Sequence, residues 1–383
     1  MSFAVKPATR ALPASTESPG RQPPAGRNRL GRLFRIADTR LCGPGELPAH
    51  GIHRILVCRP NHRLGNTVLV SPLLRELERL YPGAEIDLIG SGGVARALFD
   101  TRFQIHRILS WPHRLARHPW RALQLLRELR HGTYDMAVDP CIGSFTGRML
   151  LSACRARFKV GFPAAAVPDG RIPRHLAQRS VHVLREACGA PRNDDFPVLN
   201  IELSPWELNQ GAHALATILG NPIAAHGNAP VIGVFTHATG AKRLPEAWWG
   251  EFIATLRAHR PDIRVVDVLA AHGRSQLPGV TTSFYTRDLR KLAAVLAHLS
   301  GFVSADGGVM HLAAATGVPT LGFFTLPIHA KYTPYGPNNR GLDIAASSTG
   351  SSAANQAIDW LDAIAATSTI PVAGSRSALS MAS

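Results

Sequence analysis

The chain has 383 residues, 45% of them hydrophobic, which is enough for two domains of ordinary size with their own cores. No run approaches the ~18 consecutive apolar residues of a membrane-spanning helix, and the first 25 residues lack the apolar stretch of a signal peptide, so a cytoplasmic protein is expected. The formal net charge of +16 is lopsided: residues 1–201 hold 30 basic against 15 acidic side chains, residues 202–383 hold 12 against 11.

One half is therefore suited to an anionic partner: nucleic acid, an anionic membrane surface or a phosphorylated glycolipid. A basic solvated surface is the plainer alternative. The five cysteines (Cys42, Cys58, Cys141, Cys154 and Cys188) are scattered and contain no C-x-x-C pair. That speaks against a zinc site and against a disulfide framework.

Residues 1–50, rich in Pro, Gly, Ser and Arg, read as a disordered basic arm. A short basic amphipathic helix over Arg29–Leu41 is compatible with it. The first strand is expected over His53–Cys58, then a loop to Thr67, then a helix over Val68–Tyr81 stopped by Pro82 and Gly83. Glu85–Gly90 is the next strand. This is a βαβ unit, but its loop lacks the G-x-G-x-x-G fingerprint, which disfavours a nicotinamide enzyme. Residues 91–133 mix helix-like and short apolar pieces, with a helix over Pro119–Arg130. Tyr134–Asp139 and Arg157–Phe162 read as strands, and 171–185 as another basic piece.

A Pro-containing crossover over Asp194–Trp206 leads to a helix over Pro205–Leu219. Strands are expected over Ala229–Phe235 and Ile263–Leu269, with a helix through Trp248 and Trp249 and another over Leu289–Leu299. Gly301–Gly336 then gives strand, Gly-rich turn, helix over Val309–Thr316 and strand over Thr320–Phe324. Such a turn offers free N–H groups and a helix N-terminus to a phosphate, and Gly307 and Gly308 let the backbone approach it. A tight turn capped by Asp306 accounts for the same pattern. Two series of βα units predict an α/β protein of two Rossmann-like domains facing each other across a cleft, the GT-B arrangement. The expected parts are a domain over 51–200, a domain over 201–365 and a flexible tail over 366–383.

Asp306-Gly-Gly-Val-Met-His311 through Phe324, followed by Lys331-Tyr-Thr-Pro-Tyr-Gly336, resembles the donor-site segment of glycosyltransferase family 9. These are the bacterial heptosyltransferases of lipopolysaccharide core synthesis. Asp306, Gly308, His311, Ala313, Ala314, Gly317 and Pro319 fall on the family pattern; Gly307 stands where Ser or Thr is usual. His237, Ala238, Thr239, Lys242 and Pro245 resemble a second segment, with Leu244 in place of Trp. Arg59, Gly65, Val68, Leu69, Pro72, Leu73 and Leu74 resemble the N-terminal signature. Asp139 falls on a further acidic position, but Cys141 replaces Gln.

The resemblance implies an inverting, metal-independent glycosyltransferase with no cofactor. It would move a heptose-like sugar from a nucleotide-sugar donor of the ADP-heptose kind to a lipopolysaccharide-core or related anionic glycan acceptor. Work at the cytoplasmic face of the inner membrane would follow, and no nucleic-acid partner is implied. The first domain would hold the acceptor and the second the donor. Lys242 and the N–H groups of Gly307, Gly308 and Val309 would meet the diphosphate, with Thr239, Gly240, Asp306 and His311 beside them. Asn66 stands where the family has the Asp taken as general base, and an amide cannot accept a proton. His62 and Asp139 are the alternatives. The same Asn66 motivates a second reading, a catalytically impaired nucleotide-sugar or polyanion-binding protein.

Overall fold

The computed structural model describes residues 39–112, 117–162, 172–190, 195–220, 229–270, 273–277, 279–280, 282–344 and 348–368. The expected arm as far as residue 38, most of the amphipathic helix in it, and the tail from 369 lie outside the described residues. No described helix is long and apolar enough to cross a membrane.

Five strands form the first sheet: β1 (Arg54–Cys58), β2 (Glu85–Gly90), β3 (Ile105–Ser110), β4 (Tyr134–Asp139) and β5 (Ala156–Gly161). All pair in parallel, in the order β3-β2-β1-β4-β5. The helices between them are α1 (Leu64–Val68), α2 (Ser71–Leu80), α3 (Val94–Phe99), α4 (Pro119–His131) and α5 (Phe145–Ala153); α6 (Leu176–Ala187) follows. The second sheet comprises β6 (Val231–Phe235), β7 (Arg264–Val268), β8 (Ser283–Phe284), β9 (Gly301–Ala305), β10 (Thr320–Phe324) and β11 (Arg340–Asp343). Its order is β11-β10-β9-β6-β7-β8, again parallel. Counted from its own first strand this is 6-5-4-1-2-3, the doubly wound order of dinucleotide-binding sheets. Its helices are α7 (Pro205–Ile218), α8 (Glu246–His259), α9 (Leu289–Leu296), α10 (Gly308–Ala314), α11 (His329–Tyr332) and α12 (Gly350–Ser368).

The central strands are largely apolar because helices cover both faces: β9 and β10 are buried at every residue, Ser304 and Thr320 included. The helix expected over Val68–Tyr81 is two helices. Leu64–Val68 is already helical, and a second helix starts at Ser71 with Pro72 in its first turn. Proline has no N–H to give to a continuing helix, so the break falls just before it. The strand β3 and helix α3 stand within the stretch left unresolved in sequence. Neither β11, with one buried residue, nor the Ala-rich α12 was anticipated.

Arg290 is one of the residues that fasten the two halves together. Arg290 of α9 donates to the carbonyls of Leu98 (2.6 Å) at the end of α3, Ile201 (3.0 Å) and Glu202 (3.0 Å). It also clasps both oxygens of Glu207. Glu207 closes the capping box that starts α7, with Ser204 as its other member. Arg290, acting first, pulls the Glu207 carboxyl down to about 2. The linkage sign follows: a depressed carboxyl stabilises the fold above its unfolded value, ~4.3, and the gain is lost as pH falls towards 2. Arg290→Leu should cost about 2–4 kcal/mol, between an exposed and a fully buried ion pair. Urea titration should show the loss at pH 7 and a smaller one near pH 3.

Candidate functional site

In an open parallel sheet, ligands sit beyond the carboxyl ends of the strands, where the winding reverses. That point lies between β1 and β4 in the first sheet and between β6 and β9 in the second. The residues singled out in sequence fall on the loops leaving these four strands.

After β6, Thr239 precedes a single 3-10 turn, Gly240–Lys242. Thr239 and Gly240 are exposed, and Gly240 has φ +62°, a left-handed conformation that favours glycine. Thr325, just past β10, donates its hydroxyl to the Ala241 carbonyl at 2.8 Å and holds the turn. Lys242 Nζ reaches Asp306 Oδ2 at 2.7 Å, across the switch point. Its ammonium also lies 5.8 Å from the centre of the Tyr332 ring. Asp306 was expected to cap the following helix. It does not: Gly307 occupies the N-cap, no side chain bonds there, and the carboxylate pairs with Lys242 instead.

After β1, Arg59 Nε donates to the Asn66 carbonyl at 3.1 Å, and its guanidinium also donates to the Cys141 sulfur. Asn66 is half-buried on α1, not in a loop. His62 is exposed on the segment leading into that helix. Asp139, at the end of β4, is 3% exposed. Its Oδ1 accepts from the Cys141 N–H at 3.1 Å. A Cβ on Gly147 would meet that carboxylate at 2.6 Å, so α5 presses directly on it. Burial pushes the Asp139 carboxyl up to about 7, against smaller lowering by the Cys141 N–H, Arg148 and Arg59.

The two loops meet. A Cβ on Gly65 of α1 would lie 2.7 Å from His311 Cδ2, and one on Gly308 would lie 2.8 Å from Leu64 Cβ and 2.9 Å from the Gly65 nitrogen. The missing side chain at Gly308 thus admits the opposite domain as well as any ligand. Both helices direct their N-termini into this junction, each with N–H groups that have no partner inside the helix. Val309 is half-buried beside it. His311 is 3% exposed, and its Nδ1 has no hydrogen-bond partner among the described residues. Desolvation, then the charges of His175 and Lys242, push its imidazole down to about 3, so it is neutral. His175 closes the far side: its Nε2 donates to the Thr333 carbonyl at 2.8 Å, and its ring stacks on Tyr335 at 4.8 Å.

The family model described as glycosyltransferase family 9 (heptosyltransferase) matches residues 122–355. The chain belongs to glycosyltransferase family 9. Lipooligosaccharide heptosyltransferase 2 of Haemophilus ducreyi is 24% identical over 316 residues, 74% of this chain and 84% of that protein. Among solved structures, a family 9 glycosyl transferase from Veillonella parvula superposes with a TM-score of 0.64 at 18% identity, over 82% of this chain and 97% of that one. The ADP-heptose lipopolysaccharide heptosyltransferase II of E. coli gives 0.59 at 15% identity, over 82% and 99%. The fold of this family 9 glycosyltransferase is accordingly the GT-B arrangement. The matched span begins at residue 122, so the helix carrying Asn66 lies outside it.

Sequence reasoning missed Arg290 and left His175 inside a basic piece without a role. An arginine on a helix and a histidine in a basic stretch carry no periodic signal; only the fold shows that both bond across the two halves. Among the described residues, no group of three His, Cys, Asp or Glu side chains is arranged to hold a metal ion.

The raised Asp139 carboxyl sets a pH dependence. Between ~3.9 and about 7 the unfolded chain has already lost this proton while the folded protein keeps it. Stability should therefore fall as pH rises through that window and level off above it. In Asp139→Asn that part of the slope should vanish, and chemical denaturation at pH 4, 5.5 and 7 would show whether it does.

Proposed function

We propose that this family 9 enzyme transfers a heptose-like sugar, with inversion and without a metal ion, from a nucleotide-diphosphate sugar to a phosphorylated lipopolysaccharide-core or related glycan. The observation that carries the reading is the Lys242–Asp306 pair. It stands at the switch point of the second sheet, opposite the N-terminus of α1. Similar structures include the E. coli heptosyltransferase WaaC, once with ADP and once with ADP-2-deoxy-2-fluoro heptose, which favours an adenosine diphosphate donor. The lipooligosaccharide enzyme of H. ducreyi favours a core-sugar acceptor. The site is proposed to work at the cytoplasmic face of the inner membrane.

In this reading the diphosphate lies against Gly307, Gly308 and Val309 and takes Lys242 as its point-charge partner, while Asp306 keeps the ammonium aimed. Thr239 and Gly240 border it, and the neutral His311 offers its unpaired Nδ1 to a donor hydroxyl. The acceptor oxygen attacks the anomeric carbon from the face opposite the diphosphate. The sugar–phosphate C–O bond breaks and its electron pair leaves with the diphosphate. Asn66 orients the acceptor hydroxyl, and His62, exposed at the mouth, takes its proton. Asp139 is the second choice as base, favoured by a carboxyl that titrates at about 7 but disfavoured by its burial.

Calorimetry with ADP-heptose and Lys242→Ala tests the donor half. Donor affinity should fall at least tenfold, and unchanged affinity with an unchanged rate would remove Lys242 from the site.

The acceptor half is tested by rates. His62→Ala should lower kcat by roughly 10²–10⁴-fold and erase the rise of rate with pH. The reverse pattern, a silent His62→Ala and a crippled Asp139→Asn, would hand the proton to Asp139. Donor binding with no turnover by the parent, restored in Asn66→Asp, would establish the impaired-binder reading instead.

A further inference from the structure

We propose that the outer face of α4 is a docking surface for an anionic phospholipid bilayer. It extends the reading above by placing a lipid-borne acceptor, and rests on that reading only for its purpose.

The helix buries one side, through Ala122, Leu125 and Leu129, against the first sheet. Its opposite side carries Trp120, 78% exposed, and Leu123, 36% exposed. Arg127, seven residues after Trp120, lies on the same side two turns along. Arg117 and Arg121 are exposed around the start of the helix. The only acid on the helix, Glu128, is held by Arg107 at 2.9 Å, so it does not offset these charges outward. A large amphipathic ring standing in solvent among arginines is the composition of an interfacial lipid contact. Its charge matches an anionic surface and agrees with the excess of 30 basic over 15 acidic residues in positions 1–201. Nucleic acid would answer to the arginines but leave Leu123 without a role.

Placement supports the same partner. A helix that follows a parallel strand begins at the carboxyl edge of the sheet. Trp120, at the first turn after β3, therefore stands on the edge that also carries the loops of His62 and Asp139. A bilayer touching Trp120 would present its head groups beside the acceptor loops.

The full chain should be floated with phosphatidylglycerol–phosphatidylethanolamine vesicles and with neutral phosphatidylcholine vesicles. The parent should bind the first and release them as salt rises past the ~10 Å screening regime. Trp120→Ala should lower partitioning roughly tenfold, and Trp120→Phe should restore most of it. The double variant Arg121→Gln, Arg127→Gln should lower binding roughly 10–30-fold and flatten the salt dependence. All three positions are exposed, so thermal melting should be unaltered. Variants that bind like the parent would overturn the surface, whatever the basic residues elsewhere contribute. So would duplex DNA that competes equally well while Trp120→Ala is silent. Transfer to a short soluble acceptor separates the two claims. Transfer with variant-independent vesicle binding sinks the surface alone. Trp120-dependent binding with no transfer sinks the proposed function alone.

Discussion

The close approach of two short helices, α1 and α10, governs the rest of the molecule. Their N-termini belong to different sheets, yet Gly65 and Gly308 bring the backbones to a distance no side chain allows. Like dipole ends repel, and burying two sets of unpaired N–H groups together is costly. The missing side chains at Gly65 and Gly308 are what let the two ends come this close. The same contact fixes α1, which carries Asn66 in its first turn.

Around that junction the burial of titratable groups is consistent. His311 is held neutral and Asp139 is held protonated up to about 7, both by desolvation. Lys242 and Asp306 form an ion pair at 2.7 Å. So the positive potential facing the gap comes from the backbone dipoles and from an ammonium that Asp306 partly balances. That division suits a leaving group whose charge develops during reaction: the dipoles are fixed beforehand, and only the lysine side chain has to adjust.

The sequence made the switch-point loops readable because they are punctuated. Gly307, Gly308, Gly317 and Pro319 bracket a short helix, and buried parallel strands read as continuous apolar runs. Two sheets and their facing loops follow from that. The ends of each sheet were not readable: β11 buries only Leu342, and β3 carries His106 and Arg107, so neither has the apolar run of a central strand. Asn66 was placed in a loop because a five-residue helix leaves no periodicity to detect. Asp306 was read as a cap because Asp before a helix usually is one. Its pairing with Lys242 depends on β6 lying next to β9, a contact between segments more than 60 residues apart. Arg290 is the same case on a larger scale, for its partners lie in α3, the crossover and α7.

Cys141 shows how a departure from the family pattern can be absorbed. Where the family has Gln, the thiol accepts from Arg59, and its N–H donates to Asp139. Arg59 in turn fixes the Asn66 carbonyl. A Gln would offer a stronger acceptor to the guanidinium. The sulfur is weaker, but with both bonds made Arg59 ties α1 to the residues just past β4. The Arg59 bond goes to the Asn66 main-chain carbonyl, so this link between α1 and the end of β4 holds whichever side chain stands at 66, and only the departure at 141 takes part in it.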